Sequence, residues 1–400
     1  MKARTNRFYR NIGFSLVLSL MFFLSPPVTF GKMLTYVKEY RYQASEADSK
    51  LTARLIAFEQ VKRLLLEEVG AYVISETEVR DFDLTKDLIL SFSAGVVSTA
   101  ILDEDWDGHT YLLKARMSAD TDALVKSIDQ IRKNQDQKMT WEEVARETKG
   151  ALSKIDTLKS EIGKGGGDKG AQEKYAQAVN ELSAIEWFKK GYALRYVEYN
   201  NQEAMKAFEK ATEIDPKYAK AYALKASIYN DWDQFYKGLG ESEKALRLNP
   251  KLPWGYSSRA AAHIGLGNYP EGITDCNKAI ELNPQSYGAY TNRSWAYYRM
   301  KNYRLGVEDG NKAIEINPGH SHAYLQRGRN LAALGKYESA VSDFSKSIEL
   351  NPVHSWAFLS RGLAYMQLGK KDQALEDFKK AAQLGNAQAQ TRLKSQGVQW

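Results

Sequence analysis

Five histidines, one cysteine, a cluster of acids and a repeated set of matched charges are the groups in this 400-residue chain that could do chemistry. His320-x-His322, with His354 further on, could be imagined as cation ligands. Zinc-type sites, however, draw on cysteines or on histidines spaced along a helix, and neither pattern accompanies these three. They read as residues of turns between repeated elements, so no metal and no cofactor is expected. Cys276 has no partner for an internal disulfide and reads as a small buried hydrophobe. Asp103, Glu104, Asp105 and Asp107 crowd one segment; the reading is a solvated hairpin tip, with weak cation binding as the alternative. The chain carries no nucleophile elbow, zinc-protease helix or dinucleotide fingerprint. The run Gly163-Lys-Gly-Gly-Gly-Asp-Lys-Gly170 has no Lys-Ser or Lys-Thr after its last glycine and no strand before it, so it reads as a flexible linker rather than a phosphate loop.

The matched charges are more informative. Arg259, Arg293, Arg327 and Arg361 are evenly spaced, and Asp275, Asp309, Asp343 and Asp377 keep the same spacing. Lys225 and Glu241 continue both rows one step earlier. A guanidinium fits a carboxylate with two parallel hydrogen bonds, so bases and acids recurring in step imply structural pairs between helices. A row of arginines gripping acidic ligands is the alternative.

The elements that position these charges are set by a period. Pro216, Pro250, Pro284, Pro318 and Pro352 follow one another at 34-residue intervals, the spacing of a helix–turn–helix unit stacked into a solenoid. Small residues share three slots: Ala204, Gly238, Gly272, Gly306, Ala340 and Ala374; Ala211, Ala245, Ala279, Ala313, Ser347 and Ala381; Ala226, Ala260, Ser294, Gly328 and Gly362. Backbones approach closely where such slots face each other. Phe235, Tyr269, Tyr303 and Tyr337 fill a bulky column, and Leu-Asn-Pro or a near copy closes most units.

Residues 184–386 resemble six copies of the tetratricopeptide repeat. In the first copy Gly191 is one residue out of register with Pro216, which predicts an extra residue in its turn. In the last, Asn386 replaces proline, and residues 387–396 read as a polar capping helix. The resemblance implies an inner groove lined by Trp254, Trp295, Tyr298, Arg299, His322, Leu325, Arg329, Trp356, Leu359, Leu363 and Met366, with Asn292 and Gln326 beside them. Some members of that family hold acidic chain ends in a clamp of Lys and Asn. Here only Asn292 matches, with Ser257, Ala261, His322 and Gln326 at the other clamp positions, so that activity is not expected.

The rest of the chain is of another kind. Lys2, Arg4, Arg7 and Arg10 precede an apolar run from Ile12 to Leu24, then Pro26-Pro27 and small residues near Gly31. That order predicts a secretory signal over residues 1–31, with an uncleaved anchor as the alternative. Its removal lowers the formal net charge from +7 to +3, which leaves no push toward nucleic acid. Residues 32–135 read as a small α/β domain: a strand over 34–44, and a helix capped by Ser45 or Asp48 with Leu51, Leu55, Phe58, Leu65 and Val69 on one stripe. Gly70 would stop that helix before a β-prone stretch at 71–79. A hairpin turning at Asp107-Gly108 and a helix capped by Ser118 or Asp120 complete the domain. Val69–Val79, Ser93–Val97 and Asp107–Met117 resemble the N-terminal domain of flagellar assembly protein T and related envelope domains, which implies a place in periplasmic assemblies and brings no catalytic residues. Residues 136–183 read as a charged helix, opened by a Thr140-x-x-Glu143 capping box and carrying a Leu152, Ile155, Leu158, Ile162 seam, followed by the linker.

Taken together, these features predict a mainly α protein: a six-repeat α-solenoid behind a small α/β domain, with a short cap and tail at 387–400. The function expected is that of an exported, non-enzymatic scaffold holding a protein segment, without nucleic-acid or small-molecule substrate. A structural subunit of a periplasmic or outer-membrane assembly and an enzyme with its site in the α/β domain are the rival readings.

Overall fold

The computed structural model describes residues 33–44, 48–76, 97–120, 124, 135–165, 169–198 and 200–400. The expected signal at 1–31, all of residues 77–96, and nearly all of the expected helix after Asp120 lie outside the described residues.

Three strands form an antiparallel sheet in the order β1-β3-β2: β1 (Met33–Gln43), β2 (Ser98–Trp106) and β3 (Thr110–Asp120). Strand side chains alternate between faces, and on β3 this buries Tyr111, Leu113, Ala115, Met117 and Ala119 while Lys114 and Arg116 face out. Tyr42 and Trp106 both pair with Tyr111 across the sheet. The Asp107-Gly108 turn forms as predicted. One Asp107 carboxylate oxygen accepts from the amides of His109 at 2.8 Å and Thr110 at 2.6 Å, and Gly108 takes φ +96°, a conformation natural to glycine. The acid cluster does not sit in that turn. Asp103, Glu104 and Asp105 lie within β2, so alternate side chains leave opposite faces and do not converge on an ion. Glu104 instead pairs with Arg54 at 2.7 Å and accepts from Tyr111 Oη at 3.0 Å. Ser118, expected as a helix cap, is a β3 residue.

Helix α1 (Lys50–Glu76) covers the buried face of the sheet and corrects two expectations. It runs through Gly70, so residues 71–76 are helical rather than β. A glycine inside a helix costs about 1 kcal/mol, which a long helix packed on a sheet tolerates when neither proline nor a left-handed turn follows. Its buried stripe is Ala53, Ile56, Ala57, Val61, Leu65 and Val69, a phase that leaves Leu51 75% exposed.

Helices α2 (Gln135–Gly165) and α3 (Lys169–Tyr196) pack against each other. The expected capping box is absent, because α2 begins five residues before Thr140, which is buried inside it. The glycine run is no long linker: α2 continues to Gly165 and α3 starts at Lys169. Ile155, Leu158 and Ile162 are buried in this seam, and Leu152 packs beside them.

From α3 onward helices pair in tandem. They are α4 (Asn201–Ile214), α5 (Ala219–Asp231), α6 (Phe235–Leu248), α7 (Pro253–Gly265), α8 (Tyr269–Leu282), α9 (Tyr287–Arg299), α10 (Tyr303–Ile316), α11 (Ser321–Ala333), α12 (Tyr337–Leu350), α13 (Ser355–Gln367) and α14 (Lys371–Gln383), closed by α15 (Ala387–Ser395). The turn within the first pair spans residues 197–200 and that of the second 232–234, the extra residue anticipated from Gly191. Asn386 caps α15 by accepting from the Ala389 amide at 3.1 Å.

The first, fifth and sixth pairs are locked by a glycine facing a phenylalanine. A Cβ on Gly328 would lie 2.7 Å from the Phe344 ring, on Gly362 2.7 Å from Phe378, and on Gly191 2.6 Å from Phe208. Cys276 occupies the phenylalanine slot in the third pair, fully buried, and burial pushes its thiol far above the usual range. One apolar core runs without a break from β3 through α1, α2 and α3 into α4 and α5, so the sheet module and the first repeats share an interior.

Candidate functional site

The arginine–aspartate rows form a ladder between paired helices. Each guanidinium forks onto its partner carboxylate: Arg259–Asp275 at 2.8 and 2.7 Å, Arg293–Asp309 at 2.8 and 2.7 Å, Arg327–Asp343 at 2.8 and 2.6 Å, Arg361–Asp377 at 2.8 and 2.8 Å. Lys225–Glu241 continues it at 3.2 Å. Three of the arginines also reach back to the preceding repeat: Arg293 to Asn277 at 2.6 Å, Arg327 to Asn311 at 2.9 Å, Arg361 to Ser345 at 3.0 Å. Each of these therefore staples three helices. The carboxylates are buried, and their oxygens are occupied by the fork.

The first helices of the repeats carry the groove residues inferred from the family resemblance, and these separate into two groups. Leu325, Gln326 and Leu359 are buried and belong to the packing between helices, so they are not groove surface. The reason is phase: Leu325 shares a core with Ala340 and Phe344 of α12, and Leu359 with Ala374 and Phe378 of α14. Trp254 is drawn toward α3, stacking on Phe188 at 6.3 Å and Tyr192 at 6.1 Å. Asn292 is spent on a neighbour, donating to the Ser257 carbonyl at 3.0 Å. The second group stays accessible. Trp356 and Leu363 are 37% and 41% exposed. Trp295, Tyr298, His322, Arg329 and Met366 are half-buried, and Arg299 is exposed.

The three histidines set aside as turn residues come together. Between ring centres, His320 and His322 lie 5.7 Å apart, His322 and His354 4.3 Å, and the Tyr287 ring sits tilted against His320 at 4.6 Å. Burial, then mutual repulsion and nearby arginines, pushes all three down, His320 to about 3; Asp231 partly offsets the effect at His322. They are neutral rings at physiological pH. Among the described residues no group of three or more His, Cys, Asp or Glu is arranged to hold a metal ion.

Two buried networks had no sequence signal. Lys62 on α1 donates to Glu186 on α3 at 2.5 Å, Lys189 pairs with the same carboxylate, and burial beside Glu186 pushes Glu59 up to about 7. Tyr175 and Tyr42 both donate to Asp48, at 2.5 and 3.0 Å. Lys62 and Glu186 are 124 residues apart in sequence and Asp48 and Tyr175 are 127 apart, so both networks close only through the shared core.

Residues 187–218 and 287–320 match one tetratricopeptide-repeat family model and residues 325–389 match another. With six helix pairs in this register, the C-terminal part of the chain is a tetratricopeptide-repeat solenoid. Among solved structures it is similar to YrrB, described as a tetratricopeptide-repeat protein with an unusual peptide-binding site, at 23% identity over 48% of this chain and 99% of that one, TM-score 0.32. It is similar to a repeat protein of Parabacteroides merdae at 22% identity over 62% of this chain and 97% of that one, TM-score 0.41. A Thermus thermophilus repeat protein is 20% identical over 44% of this chain and 97% of its own, TM-score 0.40. No curated protein matches the chain. Among the described residues no helix is long and apolar enough to cross a membrane.

Proposed function

We propose that this chain is an exported, non-enzymatic scaffold that holds a segment of a partner protein along the inner face of its repeats. The observation that carries the reading is the row Trp295, Tyr298, Trp356, Leu363 and Met366. These are large apolar side chains on the first helices α9 and α13, either side of α11, and α13 leaves Trp356 and Leu363 exposed at 37% and 41%. Exposed aromatics grouped on one surface favour association, and truncating one at the centre of an interface typically costs about 2 kcal/mol or more. The export part of the reading rests on the charged start and the apolar run that follows it. Because sheet module and solenoid share one core, the module would present the groove in a fixed orientation to an envelope assembly.

The test is photo-crosslinking from position 363 in intact cells, followed by binding of the captured partner to the Trp295→Ala/Trp356→Ala double variant. The expected result is an affinity at least thirtyfold weaker, with the helical circular dichroism signal retained. Unchanged affinity in the folded double variant would remove the inner face from consideration.

A further inference from the structure

Arg299 and Arg329 differ from the ladder arginines: no carboxylate of the described residues pairs with either. Arg329 shares its slot with Trp295 one repeat earlier and Leu363 one repeat later, so its side chain emerges between two apolar groove residues. Its guanidinium lies 5.3 Å over the Trp356 ring. Its hydrogen bonds are two long ones, to Ser360 Oγ and Gln326 Oε1, both at 3.5 Å. Arg299, at the end of α9, lies 5.3 Å over the Tyr269 ring. Removal from water and the charge of Arg299 together push Arg329 down to about 10, while Tyr298 acts in the opposite direction.

A guanidinium withdrawn from water beside a second one, with rings and neutral hydrogen-bond acceptors in place of a counter-ion, is unfavourable unless something anionic completes it. Arginines elsewhere between the repeat helices have a carboxylate: Arg195 has Asp231 at 2.9 Å, and each ladder arginine has its aspartate. The neutral histidine stack at the start of α11 and α13 supplies no anion.

We propose that the segment held in the groove presents a carboxylate to Arg299 and Arg329, with an adjacent apolar side chain seated on Trp356 and Leu363. The inference rests on the groove reading above and names the chemistry of its occupant. Neither arginine stands at Ser257, Ala261, Asn292, His322 or Gln326: Arg329 shares the slot of Ala261 two repeats later and follows Gln326 by one turn, and Arg299 lies two turns beyond Asn292, so the acid would be gripped by residues other than those of the family's clamp. A guanidinium pair receives a carboxylate through parallel hydrogen bonds, and stacking on tryptophan keeps the Arg329 fork open toward the groove.

The test uses the full chain on an array of synthetic dodecapeptides. Each contains one Leu or Phe and one Glu, has an amidated C-terminus, and is printed beside a copy with Gln in place of Glu and a third copy carrying Gln and a free C-terminal carboxylate. The expected result is at least tenfold stronger retention of an acid-bearing copy over its amide. Preference for the Glu copy would mean that a side chain supplies the carboxylate, preference for the free-end copy that the chain terminus does. Arg329→Gln should reduce the preference to within about twofold while leaving the melting temperature unchanged or higher, because it removes an unpaired cation rather than a structural pair. Equal retention of acid and amide, no retention of any acid-bearing peptide, or full preference surviving in Arg329→Gln and Arg299→Gln would overturn the proposal. The Trp295→Ala/Trp356→Ala variant separates the two ideas. If it loses both acid and amide copies while the wild type shows no acid preference, the groove stands and only the carboxylate falls.

Discussion

Substituting Arg327→Ala isolates one rung of the ladder. The change removes bonds of 2.8 and 2.6 Å to Asp343, a bond of 2.9 Å to Asn311 and the stacking of the guanidinium 5.7 Å from the Tyr324 ring. The Asp343 side chain is only 8% exposed and that of Arg327 23%, so a carboxylate is left inside the solenoid with its counter-ion gone. Breaking a buried pair on one side typically costs 3–5 kcal/mol. The partial exposure of Arg327 lets water reach the vacated site, which lowers the expectation to about 2–4 kcal/mol. Because a solenoid is held by neighbour interfaces, the loss should be concentrated in α11, α12 and the helices they touch. The assay is urea unfolding followed by circular dichroism, with hydrogen exchange to place the loss. Replacing both partners, Arg327→Met with Asp343→Leu, should cost less than the single change, since no charge is stranded. A single variant destabilised by less than about 0.5 kcal/mol, the scale of an exposed pair, or a double variant worse than the single, would refute the reasoning.

Acidification should loosen the last two repeats. Burial holds the proton affinity of His320, His322 and His354 below the ordinary histidine range, so below about pH 6.5 the unfolded chain binds protons that the fold refuses. Stability is then complete above that pH and falls as pH drops toward 3, by up to about 2 kcal/mol for His320 at pH 5. Thermal melts of His320→Phe beside the parent from pH 7 to 4 check this, and parallel curves would contradict it. Gly328→Val should destabilise by about 2 kcal/mol or more, because a Cβ there meets the Phe344 ring at 2.7 Å; denaturant midpoints read it directly. Protein recovered from the cell envelope should begin near Lys32, and N-terminal sequencing that finds Met1 retained on cytoplasmic material would remove the case for export.

The repeat architecture was legible because it is written locally and many times over. Proline, small slots and the Arg–Asp spacing each recur at one period, so a stray substitution cannot hide them. Even the off-register Gly191 could be read as an extra turn residue, since the 16-residue separation of Gly328 and Phe344 in a regular repeat becomes 17 for Gly191 and Phe208. The hairpin at Asp107-Gly108 was legible for the same reason, as a short-range turn code. What the sequence alone did not determine are features set by partners far away along the chain. Whether Gly70 ended a helix depended on the sheet beneath α1. Whether the glycine run separated two domains depended on α2 and α3 packing together. Leu325 and Leu359 share the periodicity of groove residues, yet the facing helix claims them for the core. Arg327 and Arg329 stand two residues apart on α11, yet the first is paired with Asp343 and the second with no carboxylate of the described residues. Only the three-dimensional placement of acids against bases tells them apart, because a salt bridge is decided by distances between helices and not by spacing within one.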